Sequence, residues 1–391
     1  MLGYGYEPAS ALSTLDLTPR YDLTPMSCLL IVDDEPVIGI GLAAALECDG
    51  RRIVVCRDLE SAQIILENEP VTDILTDVKL SGSFRFEGLD FITEVIRVSP
   101  STRVILMTGH ASDELVAEAE RRGADAVLSK PFEIDSLLPL LTPPSGATPS
   151  SLTLVPTLDE VIDSAQLRPA FQPIVSLADG TTHGVESLAR YRGGEPFVRP
   201  DLLFAYATRK HGVPALETAC IEATMRAVPS LPPSPLIFMN VHPAALEGLG
   251  VVMALESTAR QFGVDLSRVV LEITEQQEIK QSSALFEAIE RLRTLGVRFA
   301  FDDVGVAYSH LPLIERIRPE YLKISQLFGT RFEADTTLTK IVRNLVALAA
   351  EFSCAIIIEG VEDASTADAA RNLGIAYGQG WLFGRPADAP G

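Results

Sequence analysis

The sequence predicts an α/β protein with two domains, an N-terminal doubly wound parallel sheet and a C-terminal (β/α)8 barrel of the TIM type. Two observations support this prediction. Short apolar runs alternate with helical stretches along most of the 391 residues, and a segment dense in Pro, Ser and Thr interrupts the alternation at residues 142–157. Alternating strands and helices indicate parallel sheets with helices on their faces, and such a polar segment is typical of a linker.

The linker divides the chain into candidate domains. Residues 1–25 show no clear periodicity and are expected to form an N-terminal arm, and residues 26–141 contain the first alternation. Residues 158–391 contain the strand-like runs LIFMNV, VVLEIT, VRFAF, YLKIS and CAIIIEG, separated by helical patterns such as LFEAIERLRTLG. Several such units over roughly 230 residues fit a (β/α)8 barrel.

Composition limits the class of partner. The formal net charge is −21 and the acidic residues are dispersed, which argues against binding to nucleic acid or to an anionic membrane, because both require a basic face.

The five cysteines have no CxxC or paired spacing, which favours buried thiols in a reducing compartment over disulfides or zinc sites. No stretch reaches the ~18 apolar residues of a membrane span. We therefore expect a cytoplasmic protein.

In the first domain, polar residues stand at the carboxyl ends of apolar runs. Asp33 and Asp34 follow LLIV, Asp77 follows DILT, Thr108 follows VILM and Lys130 follows AVLS. Ligands bind at the carboxyl edge of an open parallel sheet, and three carboxylates can hold Mg²⁺. Each Asp or Thr taken singly is explained as well by helix capping, but five such residues in order favour a phosphoryl-transfer site.

These five residues and their order resemble a response-regulator receiver domain, which has a flavodoxin-like fold. The resemblance implies that Asp77 is the phospho-acceptor, that Asp33 and Asp34 bind one Mg²⁺, and that a histidine kinase is the partner. It also implies that Thr108 is the switch hydroxyl and that Lys130 contacts the phosphate.

Two features depart from the receiver pattern. Val127 stands three residues before Lys130, where the family usually has a switching Tyr or Phe, and the stretch SGSFRFEG is longer than usual. Pro131 follows the pattern and implies the cis peptide bond usual in that family. We therefore expect an intact acceptor site. The sequence does not support the usual conformational switch through an aromatic side chain, because Val127 stands at that position.

The second domain has two adjacent aspartates, Asp302 and Asp303, at the end of the apolar run FAF. Neighbouring carboxylates repel each other unless a cation lies between them or one of them is protonated. One explanation is that one aspartate caps the following helix. The other is a metal site, in which the charge of the ion stabilises the pair.

Further polar residues fall at the strand ends of this domain: Glu186, Asn240, Glu272, Lys323, Glu359 and Gln379. In a (β/α)8 barrel, catalytic groups come from the carboxyl ends of several strands. Together with Asp302 and Asp303, these carboxylates suit two divalent cations about 3.5–4 Å apart, which stabilise the attacking and leaving oxygens of a phosphodiester. Lys323 would orient or deprotonate the attacking water.

Residues 165–388 resemble the EAL family of cyclic di-GMP phosphodiesterases. The matching motifs are FQPIVSL, ESLAR, NVHPAAL, LEITE, FDDVG, LKIS, IIEGVE and QGWLFGRP. The resemblance implies two Mg²⁺ or Mn²⁺ ions, bridged by Asp302. The ligands that it implies are Glu186, Asn240, Glu272, Asp302, Asp303 and Glu359.

The same resemblance implies the roles of the remaining site residues. The catalytic residues are Lys323, Glu359, Gln379 and Glu275. Lys323 and Gln379 would position water and metal-bound groups, and Glu275 would hold the loop after the two aspartates. Gln172 and Arg190 would contact the dinucleotide.

The loop at residues 304–310 departs from the family. VGVAYSH stands where the family usually has FGTGYSS, so Val306 lacks a hydroxyl and Ala307 restricts φ relative to glycine. Ser325 replaces the aspartate that usually follows Lys-Ile. Because every implied metal ligand is present, we expect an active enzyme that is slow or dependent on activation.

Together the two resemblances predict a two-component response regulator. It would hydrolyse cyclic di-GMP to linear pGpG under the control of Asp77 phosphorylation, and family resemblance alone suggests a homodimer. Two alternatives stay open at this point. A weakened EAL domain would bind cyclic di-GMP without turnover and act as an effector, or both domains would serve only as a scaffold for interactions.

Overall fold

A computed structural model describes residues 27–80, 87–146, 148–163, 165–247, 250–274, 282–304, 311–329 and 336–389. The chain divides into two compact units, one built on an open sheet and one on a barrel. The predicted N-terminal arm, Glu275, and residues 305–310 of the altered loop lie outside the described residues.

The sheet of the first unit is parallel throughout and has the order β5-β4-β3-β1-β2-β6. Its strands are β1 (Ser27–Val32), β2 (Arg51–Cys56), β3 (Asp73–Asp77), β4 (Arg103–Thr108), β5 (Ala126–Ser129) and β6 (Ser151–Leu154). The helices that alternate with them are α1 (Pro36–Leu46), α2 (Leu59–Asn68), α3 (Glu87–Val98), α4 (Asp113–Arg122) and α5 (Ile134–Leu137). This is the predicted flavodoxin-like sheet, and its strand order reverses between β1 and β3, the point at which such folds bind ligands.

Helix α4 illustrates how local sequence sets the element boundaries. Ser112 caps the start, because its side chain accepts a hydrogen bond from the backbone N–H of Leu115. Gly123 ends the helix in the left-handed region at φ 103°, a conformation that glycine adopts without strain. The stretch SDELVAEAERRG therefore forms the helix that its pattern predicts.

Strand β6 comes from the Pro- and Ser-rich segment. The run SLTL pairs in parallel with β2, with Ile53 opposite Leu152, and forms the edge of the sheet. Leu152 and Leu154 are about half exposed there. An apolar run inside a polar segment is sufficient to extend the sheet by one strand.

The second unit is a closed eight-stranded barrel with the order β10-β11-β12-β13-β14-β7-β8-β9. Its strands are β7 (Leu167–Ser176), β8 (Thr182–Tyr191), β9 (Leu236–Val241), β10 (Val269–Thr274), β11 (Arg298–Val304), β12 (Tyr321–Ile324), β13 (Ala355–Ile358) and β14 (Tyr377–Gln379). Its helices are α6 (Leu158–Asp163), α7 (Pro200–Arg209), α8 (Val213–Ala227), α9 (Pro243–Leu246), α10 (Gly250–Phe262), α11 (Ser283–Thr294), α12 (Leu311–Ile317), α13 (Gln326–Gly329), α14 (Thr336–Glu351) and α15 (Ala364–Asn372). The predicted barrel is confirmed.

One strand departs from a regular (β/α)8 barrel. Strand β7 runs antiparallel to both of its neighbours, β14 and β8, whereas the other neighbouring pairs in the barrel are parallel. Residues 177–181 join β7 to β8, and Gly180 in this turn has φ 75°. So short a connection permits a hairpin but not the crossover helix that a parallel pair needs.

Apolar side chains fill most of the barrel interior. Ile174, Phe238, Val270, Ala300 and Ile357 pack together inside the barrel. A second and larger cluster packs between the strands and the surrounding helices. The polar residues of the site therefore project from the carboxyl ends of the strands.

In the part of the chain that the structure describes, every helix is too short or too polar to cross a membrane.

Candidate active site

The five polar residues predicted in the first unit converge at the carboxyl edge of the sheet. Lys130 Nζ lies 2.9 Å from Asp33 Oδ2 and 2.5 Å from Asp77 Oδ2. Asp34, Asp77, Thr108 and Lys130 line one pocket. The Lys130–Pro131 peptide is cis, as the sequence predicts. The geometry thus brings the Asp77 carboxylate, the Thr108 hydroxyl and the Lys130 ammonium group to one pocket.

Electrostatics at this edge favour a bound cation. Burial raises the pKa of Asp33, and the nearby Asp77 carboxylate adds to the effect while Lys130 opposes it. Burial also raises the pKa of Asp34. Burial lowers the pKa of Lys130, but its hydrogen bonds to the two aspartates outweigh burial, so its pKa is raised overall. Three carboxylates share one lysine, and a hard divalent cation suits such an oxygen-rich site.

In the barrel, Lys323 lies at the centre of the predicted carboxylates. Its side chain is fully buried, and its Nζ lies 2.8 Å from Glu359 Oε1 and 3.1 Å from Glu272 Oε2. The same nitrogen lies 3.4 Å from Glu186 Oε2 and 3.5 Å from Asp302 Oδ1. These residues come from β8, β10, β11, β12 and the end of β13. Five strands therefore contribute to one charged cluster.

Side-chain amides hold Glu186 in place. Asn240 Nδ2 donates to Glu186 Oε1 at 2.9 Å, and Gln379 Nε2 donates to Glu186 Oε2 at 2.6 Å. Gln379 Nε2 also lies 3.0 Å from Gln172 Oε1, and Gln172 Nε2 donates to the Gly384 carbonyl at 3.1 Å. The structure thus links residues of four strands, β7, β8, β9 and β14, in one hydrogen-bond chain.

The two adjacent aspartates point to the same side because strand β11 bulges at this point. Consecutive residues of a regular strand point to opposite faces. Between Phe301 and Val304 the register with β12 shifts by one residue, and Asp303 has φ 57°. A bulge redirects side chains in this way. Ligand oxygens of Asp302, Asp303 and Glu359 consequently lie within 4.8 Å of one another.

The pKa values of the barrel carboxylates diverge. Burial and the neighbouring carboxylates raise the pKa of Glu359 to about 8 and that of Glu272 well above its usual value, although Lys323 opposes both shifts. Glu186 is also buried, but Lys323 and its amide partners lower its pKa. Burial lowers the pKa of Lys323, yet the four carboxylates raise it overall. One lysine does not offset the charge of this cluster.

The donor set fits divalent metal ions. Carboxylates and an amide group are the oxygen-bearing side chains that Mg²⁺ and Mn²⁺ prefer. Among the described residues, the buried Glu272 Oε1 and Gln379 Oε1 have no hydrogen-bond partner. Buried oxygens are normally paired with a hydrogen-bond donor. Lone oxygens beside a crowded carboxylate cluster are therefore consistent with ligation of a cation.

Among the described residues, Arg190 is the predicted site residue that remains to be placed. Arg190 is half-buried at the end of β8 and lines a cavity that Asn240 also lines. Ser325, which follows β12, is buried.

Glu217 on α8 lines the same cavity as Arg190 and Asn240 and was not predicted from the sequence. Burial raises its pKa to about 8, and the backbone N–H of His242 opposes the shift.

Comparison with known families agrees with both units. The sequence model of the EAL domain family matches residues 157–386, and that of the response regulator receiver domain matches residues 29–142. Cyclic di-GMP phosphodiesterase RocR from Pseudomonas aeruginosa is 26% identical to this chain over 378 residues. The matched residues cover 92% of this chain and 95% of RocR.

Two solved structures resemble the barrel. The PaMucR phosphodiesterase in its c-di-GMP complex is 25% identical with a TM-score of 0.54, over 59% of this chain and 96% of that one. The EAL enzyme Bd1971, bound to cAMP and cyclic-di-GMP, is 22% identical with a TM-score of 0.55 and supports the fold alone, over 59% of this chain and 65% of that one. The chain therefore belongs to the EAL domain family and carries a response regulator receiver domain before its EAL barrel.

Proposed function

We propose that this response regulator hydrolyses cyclic di-GMP to linear pGpG with two divalent cations, and that phosphorylation of Asp77 controls the reaction. The observation that carries the proposal is the cluster of four carboxylates, Glu186, Glu272, Asp302 and Glu359, around the buried Lys323. RocR, a cyclic di-GMP phosphodiesterase related along 95% of its length, and the c-di-GMP complex of MucR support this choice of substrate.

Mg²⁺ or Mn²⁺ would be held by the four carboxylates that surround Lys323 and by Asn240 and Asp303 next to them. The proposed ligands are Glu186, Asn240, Glu272, Asp302, Asp303 and Glu359, and Asp302 is the proposed bridge. When bound, two such ions stabilise charge on the attacking and leaving oxygens and lower the pKa of bound water.

The chain's own residues would position the reactants. Lys323, whose pKa is raised by its carboxylate neighbours, would keep its protons and orient the attacking water as a hydrogen-bond donor. Gln379, which already donates to Glu186, would fix that carboxylate as a ligand. Arg190, at the end of β8 beside Asn240, would bind a phosphate oxygen, and Gln172 would support Gln379. Glu275 is proposed to hold the loop after β11.

The regulatory part of the proposal concerns the receiver domain, residues 26–141, and its linker, residues 142–157. A histidine kinase would be the phosphoryl donor in the cytoplasm, and the active form would be a homodimer. A second candidate function is a cyclic di-GMP-binding effector without turnover. The loop composition favours it, because Val306 and Ala307 replace the hydroxyl and the glycine usual in the family.

Hydrolysis by the purified full chain tests the proposal. Cyclic di-GMP is incubated with Mg²⁺ or Mn²⁺, and linear pGpG is quantified by chromatography. We expect turnover that EDTA abolishes and that Glu186→Ala reduces by at least about 100-fold, because loss of even an outer-shell partner of a metal ligand costs up to about that factor. Glu287→Ala, an exposed glutamate on α11, is the matched control and should retain the wild-type rate.

The other outcomes decide between the candidates. Binding of cyclic di-GMP without turnover in either metal would support the effector and contradict the enzyme. Absence of both binding and turnover would contradict both candidates and favour a scaffold. Equal loss of activity in Glu186→Ala and Glu287→Ala would show that the assay reports folding rather than the site.

A further inference from the structure

Strand β6 gives the sheet of the first unit an outer edge without charge. The strand pairs with β2 on one side, and among the described residues no strand pairs with its other side. Residues 136–158, which include the strand, contain no charged side chain, although 22% of the whole chain is charged. Sheet edges usually carry charges, prolines or bulges that prevent pairing with another chain. Strand β6 has none of these within its length.

Two leucines of β6 are exposed on the face of the sheet that α1 covers. Leu152 is in register with Ile53, and Leu154 is in register with Val55, so each leucine shares a face with its partner. Ile53 and Val55 pack in an apolar cluster with residues of α1. The leucines themselves remain 43% and 50% exposed. Apolar side chains beside an open backbone edge indicate a surface that another strand can cover.

The charge of the chain favours a second copy of this edge as the occupant. The formal net charge is −21, so two copies repel each other over much of their surface, whereas two uncharged edges approach without facing carboxylates. A basic partner would be attracted to the acidic surface elsewhere and would gain no ion pair here. An identical strand edge presents matching backbone donors and acceptors when the two strands run antiparallel.

Two-fold symmetry restricts how two such strands can pair. An isologous contact uses the same surface on both copies, and two antiparallel copies of one strand are related by a two-fold axis perpendicular to the sheet. Such an axis keeps every side chain on its own face, so a residue at the axis lies opposite its own counterpart and not opposite a neighbour. With Thr153 at the axis, Leu152 of each copy lies opposite Leu154 of the other.

We infer that β6 is a contact surface between two copies of this chain, paired antiparallel about Thr153. The leucines of both copies then cover each other on the α1 face. Pro149 and Pro156 lie just outside the strand and limit the pairing to this segment. Two strands of four residues bury less than the ~1,600 Å² of a standard interface. The inference therefore rests on the proposed homodimer, to which it adds a contact, and it does not depend on the proposed substrate.

Disulfide formation at the axis tests this register. The full-length Thr153→Cys chain is oxidised at a concentration at which light scattering shows a dimer, and it is analysed by non-reducing electrophoresis. Opposite residues of an antiparallel pair have Cα atoms about 4.5–5.5 Å apart, within the ~7 Å limit for a disulfide. We therefore expect a cross-linked dimer that a reductant reverses. The wild-type chain, with its five native cysteines, gives the background.

Ser151→Cys is the matched control on the same strand. Its counterpart in the second copy would lie four residues further along the pair, at least about 13 Å away, so it should cross-link no more than wild type does. Equal cross-linking of Ser151→Cys and Thr153→Cys would overturn the inference, because the pairing would then have no fixed register.

The remaining outcomes separate this contact from the proposed homodimer. Thr153→Cys that stays at the wild-type background, in a chain whose mass in solution is that of a dimer, would overturn the inference and leave the homodimer standing. A monomeric wild type would contradict the homodimer and this contact together, and it would favour a different protein as the occupant of the edge.

A charge on the edge tests the same contact without a cysteine. Leu154→Lys changes an exposed position, and sedimentation measures the dissociation constant of the dimer. We expect an increase of at least about tenfold, because each copy loses the contact of one leucine. Lysine makes the chain less acidic, which by itself favours association, so a weaker dimer reports the local contact.

Met253→Lys, at an exposed apolar residue of α10, is the control for the added charge and should leave the dissociation constant unchanged. An unchanged dissociation constant in Leu154→Lys would overturn the inference. Equal weakening by Leu154→Lys and Met253→Lys would also overturn it, because the effect would then not belong to β6.

Discussion

Two buried glutamates in the barrel unit show how the surroundings set protonation. Glu186 accepts hydrogen bonds from Asn240 and Gln379 and lies 3.4 Å from Lys323 Nζ, so its pKa is lowered although it is buried. Among the described residues, the buried Glu217 accepts only from the backbone N–H of His242, and burial raises its pKa to about 8. One carboxyl group is thus held ionised and the other is held protonated near neutral pH.

Glu217 gives a prediction for stability against pH. Between its usual pKa of 4.5 and about 8, the folded chain keeps a proton that the unfolded chain releases. The favourable contribution of this proton is complete below pH 4.5 and is lost as the pH rises towards 8. Glu217→Gln does not titrate, so its free energy of unfolding relative to wild type should rise between pH 5 and pH 8, by up to about 1.4 kcal/mol per pH unit.

Calorimetric unfolding of both proteins in EDTA, at intervals between pH 5 and pH 8, measures this difference. Glu222→Gln, with a less buried side chain on the same helix, should track the wild-type curve at every pH. Parallel curves for Glu217→Gln and wild type would mean that Glu217 is ionised in the folded chain.

The sequence predicted the charged residues at strand ends but did not predict Glu217. Glu272 and Asp302 each lie in or directly after an apolar run, which places them at an identifiable edge of the fold. Glu217 lies within a helix and matches no motif. A signal was present, because Val213, Glu217 and Ile221 are spaced by four residues on the buried face of α8. That spacing marks a core position occupied by an acid.

Among the elements, strand β11 shapes the proposed metal centre through its bulge. The register shift against β12 and the positive φ of Asp303 turn two consecutive side chains towards Glu359. A regular strand would direct one of them to the opposite face. The bulge therefore explains why the sequence contains two adjacent aspartates rather than two aspartates separated by one residue.

The backbone at Asp303 predicts an inverted order of stability for two substitutions. Glycine usually destabilises a strand relative to alanine by about 0.5–1 kcal/mol. At φ 57° alanine pays a left-handed penalty of about 1–2 kcal/mol that glycine avoids. Both variants lack the carboxylate, so Asp303→Gly should unfold at a higher temperature than Asp303→Ala.

Thermal unfolding of the two variants in EDTA measures the order directly. A reference pair on the same strand, Ala300 and its Ala300→Gly variant, should show the usual order, since Ala300 is not among the positive-φ residues of the described chain. Greater stability of Asp303→Ala than of Asp303→Gly would show that this residue leaves the left-handed region in solution.

Element types were easier to predict from the sequence than strand direction and register. The runs LIFMNV and VVLEIT form β9 and β10 with the predicted limits. The antiparallel direction of β7 was not predicted, although the turn that contains Asp179 and Gly180 is a hairpin signal. The bulge at Asp303 had no signal of its own, because aspartate only tolerates the left-handed region and does not require it.

At the scale of the whole molecule, the two units use the same arrangement for different chemistry. Each places several carboxylates and one lysine at the carboxyl ends of parallel strands, with Lys130 in the sheet and Lys323 in the barrel. The motifs of both sites were predictable because they follow apolar runs. The similarity to RocR covers 92% of this chain and so extends over both domains, which makes coupling between the sites the main question.

Phosphorylation of Asp77 is expected to change the rate of hydrolysis by the barrel. A phosphoryl group would add about −1.5 to −2 charge at a carboxylate whose present partner is Lys130 Nζ at 2.5 Å. The ion pairs of Lys130 with Asp33 and Asp77 must then rearrange, and Thr108 lines the same pocket. Local charge changes of this kind act by shifting a two-state element. Incubation with acetyl phosphate and Mg²⁺ should therefore alter the rate of pGpG formation at least about twofold.

The Asp77→Asn variant isolates this effect, because it lacks the carboxylate that we propose as the phospho-acceptor and leaves every barrel residue unchanged. Its rate should be the same with and without acetyl phosphate, whereas Asp49→Asn, an exposed aspartate of the same unit, should respond as wild type does. Phosphate incorporation is followed in parallel by mass spectrometry. Phosphate incorporation into wild type without any change in the rate of pGpG formation would contradict the prediction. The barrel would then work independently of the phosphorylated receiver.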